Sequence, residues 1–286
     1  MRAAAVAVAG TLSLSGVAAA QAVSHPVPRS APLVTTRTWA FSIGAVAPVS
    51  SLARYDMVVV DGVDTPKANV VALHRRGVRV VAYMSVGTIE EGRPWTRAAA
   101  PYRLDHWGDW NEWYADVADA GYRSLVLRSM VGPVMAKGFD GVFLDNIDMV
   151  ESHPAQTAGM TALVRAVSAR VRARHGVVIV QNGDAYVRRL APYIDGWNRE
   201  DVTATYDFDD ERYAAVPSSD GADAIRAIRW MRARKKLVTT ADYTATATAP
   251  LAVRARARAC AVGARPFVSD INLRRLPAPY PCAPAR

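Results

Sequence analysis

From about residue 38 the chain alternates short, unbroken apolar runs with longer stretches whose apolar positions recur at helical spacing. Continuous apolar runs bounded by turn signals read as strands buried on both faces. Their alternation with amphipathic segments predicts a parallel sheet covered by helices. Eight runs qualify: 39–43, 57–60, 78–84, 142–144, 177–180, 193–197, 237–240 and 267–269. Thr65-Pro66 opens a helix that Gly77 closes, and Pro154 precedes another that Gly176 closes, using proline at the start and glycine at the end. In the second helix Met160, Leu163, Val164, Val167 and Val171 share one face, while Arg165, Arg170, Arg172 and Arg174 reach water. Eight strand–helix units within 37–286 predict an α/β fold of one domain, a (β/α)8 TIM barrel, whose typical size is about 250 residues. The runner-up is an open doubly wound sheet, but no glycine-rich fingerprint follows the first strand and no Walker-type loop is present.

The N-terminus departs from this pattern. Met1-Arg2 precedes an uncharged stretch from Ala3 to Ala20 and then Gln21-Ala22, which predicts a signal peptide over 1–22 and a secreted protein. Residues 23–36, with Pro26, Pro28 and Pro32, read as a Pro/Ser/Thr-rich linker. No other uncharged run approaches the ~20 residues of a membrane span, so the mature protein is expected to cross no membrane and to act as a monomer. Of 286 residues 51% are hydrophobic, enough for a large core, and 35 Lys and Arg against 26 Asp and Glu give a net charge of +9. That charge admits an anionic polymer as partner through the runs 232–236 and 254–258, but helix exteriors account for much of it, and no nucleic-acid module is visible. Five histidines without a helical zinc spacing and two cysteines predict no metal and no cofactor. In an oxidising compartment Cys260 and Cys282 are expected to pair, two buried thiols being the alternative.

Polar residues end the runs. Asp61, Ser85, Asp145, Gln181-Asn182, Glu200, Asp242 and Asp270 each follow a predicted strand, and in a barrel these ends share the rim where active sites form. The other reading is helix capping, which favours the same residue types. The densest cluster is 138–148, where Asp140 opens a strand toward the opposite face while Asp145 and Asp148 close it toward the rim. Two carboxyls facing each other across a cleft are the minimum for glycosidic cleavage, one giving a proton to the leaving oxygen and the other serving as nucleophile or base. Glu200, from another strand, is the natural partner of Asp145. Trp107, Trp110, Trp113 and Tyr114, interleaved with Asp105, Asp109, Glu112 and Asp116, suit stacking on sugar rings, the alternative being an ordinary set of core tryptophans.

The segments 83–90 with Arg93-Pro94, 138–148, Gln181-Asn182-Gly183, and 193–196 followed by Glu200 resemble glycoside hydrolase family 114, the endo-α-1,4-polygalactosaminidases and their bacterial relatives. The similarity runs in order over about residues 38–276 and is weakest in the first strand. It implies a (β/α)8 barrel that hydrolyses α-1,4 linkages in galactosamine-containing polysaccharide without a metal. Asp145 and Glu200 match the positions it marks as catalytic, and Asp61, Glu90, Arg93, Asp148 and Asn182 match positions that should line the cleft. Ser85, Trp113 and Asp242 complete the expected substrate-binding set. Two further readings stand beside it, a non-catalytic carbohydrate-binding barrel and a basic exported protein that binds anionic polymers.

Overall fold

The computed structural model describes residues 31–44 and 47–283; the predicted signal peptide and residues 23–30 of the predicted linker lie outside them. Thirteen strands occur among the described residues, in chain order: β1 (Trp39–Ser42), β2 (Met57–Asp61), β3 (Arg79–Ser85), β4 (Thr88–Ile89), β5 (Arg103–Trp107), β6 (Glu112–Ala115), β7 (Gly141–Asp145), β8 (Val177–Gln181), β9 (Gly196–Glu200), β10 (Ala204–Asp207), β11 (Arg212–Ala215), β12 (Leu237–Tyr243) and β13 (Arg265–Ser269). Eight of them form one parallel sheet in the order β1-β2-β3-β7-β8-β9-β12-β13, rolled into a nearly closed (β/α)8 barrel. The long helices Thr157–Arg172, Ser218–Ala233 and Pro250–Ala261 lie outside it. The first of these buries Met160, Leu163, Val164, Val167 and Val171, the face that its sequence pattern marks.

At the seam between β1 and β13, side chains take over from the ladder. Trp39 packs on Phe267 at 5.5 Å between ring centroids, and its indole N–H donates to the Arg265 carbonyl at 2.9 Å. No helix of the described residues follows β13; an extended tail covers its place. The Cys260–Cys282 disulfide, with Cα atoms 5.3 Å apart, ties that tail to the last helix. The aromatics Phe41, Tyr83 and Phe143 meet in the core, with Phe41 and Phe143 5.1 Å apart and Phe41 and Tyr83 5.9 Å apart.

Two boundaries differ from the sequence reading. The sixth barrel strand is Gly196–Glu200, not 193–197. Ile194 is buried before the strand begins, and Asp195 is held at its foot, accepting the Val178 N–H at 2.9 Å. The strand itself carries Asn198, Arg199 and Glu200, polar side chains that an apolar-run criterion passes over. The domain also starts earlier than residue 37. Leu33 and Thr36 are buried, and the Arg265 guanidinium donates to the Thr36 carbonyl at 2.8 Å, so residues 31–36 pack on the barrel and do not tether it.

Two small sheets stand on the C-terminal rim. β4, β6 and β5 form one after β3, and the β10–β11 hairpin forms the other after β9. Among the described residues no helix is long and apolar enough to cross a membrane.

Candidate active site

The backbone sets the site before any side chain does. The residue that follows each of three successive barrel strands adopts a left-handed conformation: Asn146 (φ 59°) after β7, Asn182 (φ 55°) after β8 and Asp201 (φ 51°) after β9. Asn and Asp tolerate this region better than other non-glycine residues. The sharp turn ends each strand abruptly, leaving Asp145, Gln181 and Glu200 as its last residues. Strain held at such positions is a mark of functional sites. Gly87 makes the neighbouring close approach, since a Cβ there would lie 1.8 Å from the Asn146 carbonyl oxygen.

These strand ends floor a cleft of about 600 Å³, within the range of small-molecule sites. Asp145 and Glu200 both face it, on β7 and β9 with only β8 between them, so their backbones stand about 10 Å apart and their side chains converge. Asp145 accepts the Tyr83 hydroxyl at 2.7 Å and the Asn146 N–H at 2.7 Å. Burial, and then the charge of Glu200, push its carboxyl well above the usual carboxylate range. Glu200 accepts from the Tyr243 hydroxyl, from the Gln181 amide and from the Asn182 amide, the last at 3.0 Å. Burial of Asp145 and the nearby Glu200 thus both favour a proton on Asp145. A carboxyl favoured in its protonated form beside a second carboxyl in a shared cleft is the arrangement that glycosidic cleavage uses.

The walls are mostly acidic. Glu90, Glu112, Asp148 and Asp201 join the pair, against Arg93 and Arg274. Burial raises Asp148 to about 7, and burial with the charge of Glu200 raises Asp201 to about 8. Arg93 binds Glu90 at 2.6 Å and Asp61 at 2.8 Å, which fixes the wall above β2 and β3.

The structure thus gathers Asp145, Glu200, Glu90, Arg93, Asp148 and Asn182 at the cleft and removes four predicted substrate-binding residues from it. Asp61 is buried beside Arg93, and its other oxygen accepts the Val63 and Asp64 N–H groups at 2.7 and 2.8 Å. Ser85 is buried beneath Asn146, whose amide donates to it at 2.9 Å. Trp113 packs beside the core, between the His106 ring and Arg103, because it alternates along β6 with Glu112, which does face the cleft. Asp242 accepts the Thr203 and Ala204 N–H groups at 2.6 and 2.9 Å. The inward position at this strand end belongs to its neighbour Tyr243, since successive residues of a strand face opposite sides. Sequence reasoning places Gln181 at the rim, where the structure has it, but passes over Tyr83, Asp201, Tyr206 and Phe208 as cleft residues. The signal that could have found Asp201 is the recurrence of an acid or amide followed by Asn or Asp, as in Asp145-Asn146, Gln181-Asn182 and Glu200-Asp201.

No group of three or more His, Cys, Asp or Glu among the described residues is arranged to hold a metal ion. In comparisons with known proteins, the chain is 31% identical over 245 residues to an uncharacterized protein of Deinococcus radiodurans, covering 78% of this chain and 75% of that one. Its fold is similar to the glycoside hydrolase domain of PelA from Pseudomonas aeruginosa (TM-score 0.72, 23% identity, 84% of this chain and 96% of that one). It is likewise similar to Aspergillus fumigatus Ega3, solved in complex with galactosamine (TM-score 0.69, 18% identity, 87% and 97%). The match to one family spans residues 17–276 and contains every residue of the cleft, and the chain therefore belongs to glycoside-hydrolase family GH114.

Proposed function

We propose that this glycoside hydrolase is a secreted enzyme that cleaves α-1,4 linkages in galactosamine-containing polysaccharide, with Asp145 and Glu200 as its two catalytic carboxyls. The observation that carries the reading is this pair, presented by β7 and β9 into one cleft, with Asp145 buried beside Glu200 and favoured in its protonated form. The protonated member gives its proton to the glycosidic oxygen as the bond to the anomeric carbon breaks. The ionised member attacks that carbon or activates the water that does so. Tyr83, Tyr243, Gln181 and Asn182 hold the two carboxyls by hydrogen bonds.

The amino sugar is supported by the density of carboxyl groups on the walls, which an ammonium draws into their charged form. In a chain of net charge +9, the cleft concentrates carboxyls, and within a Debye length of about 8 Å the local field outweighs the total. An ammonium-bearing sugar fits such walls better than a neutral or uronic one. The galactosamine held by Ega3 supports the same choice of sugar. Export is supported by the leader-like sequence at 1–22 and by a disulfide that needs an oxidising compartment.

The test is reducing-end release by the purified protein from partly deacetylated α-1,4-galactosamine polymer, its fully acetylated form and chitosan. Release from the first above the other two is expected. Binding of the polymer without release would instead make this a carbohydrate-binding barrel.

A further inference from the structure

The two small sheets on the rim meet. Trp110, at the turn between β5 and β6, and Phe208, just beyond β10, place their ring centroids 5.5 Å apart at an interplanar angle of 73°. Both rings line the cleft, and they remain 43% and 40% exposed, although they lie on a rim whose floor is buried. Each side of the contact is braced. Trp107 stacks on Tyr114 at 5.6 Å, and Tyr114 lies 4.5 Å from His153, which joins Asp105 of β5 at 2.7 Å. On the other side Phe208 abuts Tyr206 at 5.1 Å and Tyr206 abuts Tyr213 at 5.0 Å.

The strand order gives this contact its meaning. One sheet is inserted after β3 and the other after β9, with β7 and β8 between them on one side and β12, β13, β1 and β2 on the other. A bridge between these two insertions crosses the mouth of the barrel above Asp145 and Glu200. On one side of it lie Asp148 and Asn182, after β7 and β8, and on the other Ile43 and the segment 271–274, after β1 and β13. A sugar chain on the floor would run beneath the rings from one side of the bridge to the other.

We propose that the Trp110–Phe208 bridge is a specificity element that keeps a polysaccharide in the cleft between successive cuts, so that the enzyme attacks polymers processively. The proposal rests on the hydrolase reading above. A stretch of polymer leaves sideways only when the ring contact opens, so release slows by the closed-to-open ratio. An edge-to-face ring pair shifts such a ratio by roughly 2- to 13-fold. A short oligosaccharide can slide out along the cleft on either side of the bridge and escapes this effect.

The experiment compares wild type with Trp110→Ala, Phe208→Ala and the double variant on galactosamine polymer. It measures soluble oligosaccharide formed per new reducing end left on long chains, with thermal melting to confirm folding. Both rings are exposed on loops, and Phe208→Ala decides the matter should Trp110→Ala fold poorly. The ratio is expected to fall roughly 2- to 13-fold in each single variant and no further in the double variant, since either change opens the same bridge. An unchanged ratio in folded variants that still release reducing ends overturns the bridge. Absence of release by wild type overturns the hydrolase reading itself.

Discussion

Removing the guanidinium of Arg93 tests whether the acidic wall of the cleft is held by a buried ion network. Arg93 is 16% exposed in its side chain and lies 2.8 Å from Asp61 and 2.6 Å from Glu90, themselves 7% and 15% exposed. Arg93→Met keeps the volume of the stem and leaves two buried carboxylates uncompensated. Breaking such a pair from one side costs roughly 3–5 kcal/mol, and at roughly 2–4 °C per kcal/mol for a domain of this size the Tm should fall by about 6–20 °C. The dependence on pH has a definite sign. Burial already raises Glu90 above its ordinary value and Arg93 is the chief influence that lowers it, so the substitution raises it further. A carboxyl whose folded-state pKa is raised destabilises above its unfolded value of about 4.3 and ceases to do so below it. The Tm deficit should therefore be large near neutrality and shrink as the pH falls to about 4. Arg93→Lys, which keeps the charge and loses the fork, should fall between the two. The assay is differential scanning fluorimetry at a fixed scan rate across that pH range. A deficit that does not change with pH would refute the reasoning, because it would place the role of Arg93 in packing and not in charge compensation.

Asp145→Asn should stabilise the protein while abolishing turnover. Burial and Glu200 hold the carboxyl well above the ordinary range, a cost that applies above its unfolded value of about 3.9; the gain in Tm should appear at neutral pH and fade toward acid. Gly87→Ala forces the Asn146 carbonyl, 1.8 Å from the new Cβ, to move. It should cost roughly 1–3 kcal/mol, with a loss of kcat beyond what melting alone explains, since Asn146 follows Asp145. Opening the Cys260–Cys282 bridge, which spans 22 residues, should cost roughly 3 kcal/mol on a chain-entropy account. Cys260→Ser/Cys282→Ser should then melt about 6–12 °C lower, with kcat preserved because the bridge lies at the tail.

The barrel was legible because its strands are buried on both faces and so read as apolar runs; seven of the eight ranges overlap the observed strands closely. The exception, β9, carries polar side chains on the strand itself. The small sheets on the rim were hidden for a related reason: β4 is two residues long and β5 and β10 mix polar with aromatic positions, so no period stands out. At the site, Asp145 and Glu200 were legible as acids at strand ends. Asp242 and Trp113 were misplaced by one position each, because an apolar run in a doubly covered strand does not reveal which alternate residues face the axis. Asp61 and Ser85 face inward but lie beneath Arg93 and Asn146, partners that only the folded loops bring over them.

The central claim is that Asp145 and Glu200 act as one hydrolytic pair. Its most direct test is the turnover of galactosamine polymer by Asp145→Asn, Glu200→Gln and the double variant, each shown to be folded. Residues that act as a unit are non-additive. Each single variant should lose at least ~10³-fold in kcat, and the double variant should be no worse than the poorer single one. Substantial turnover by either folded single variant would contradict the account.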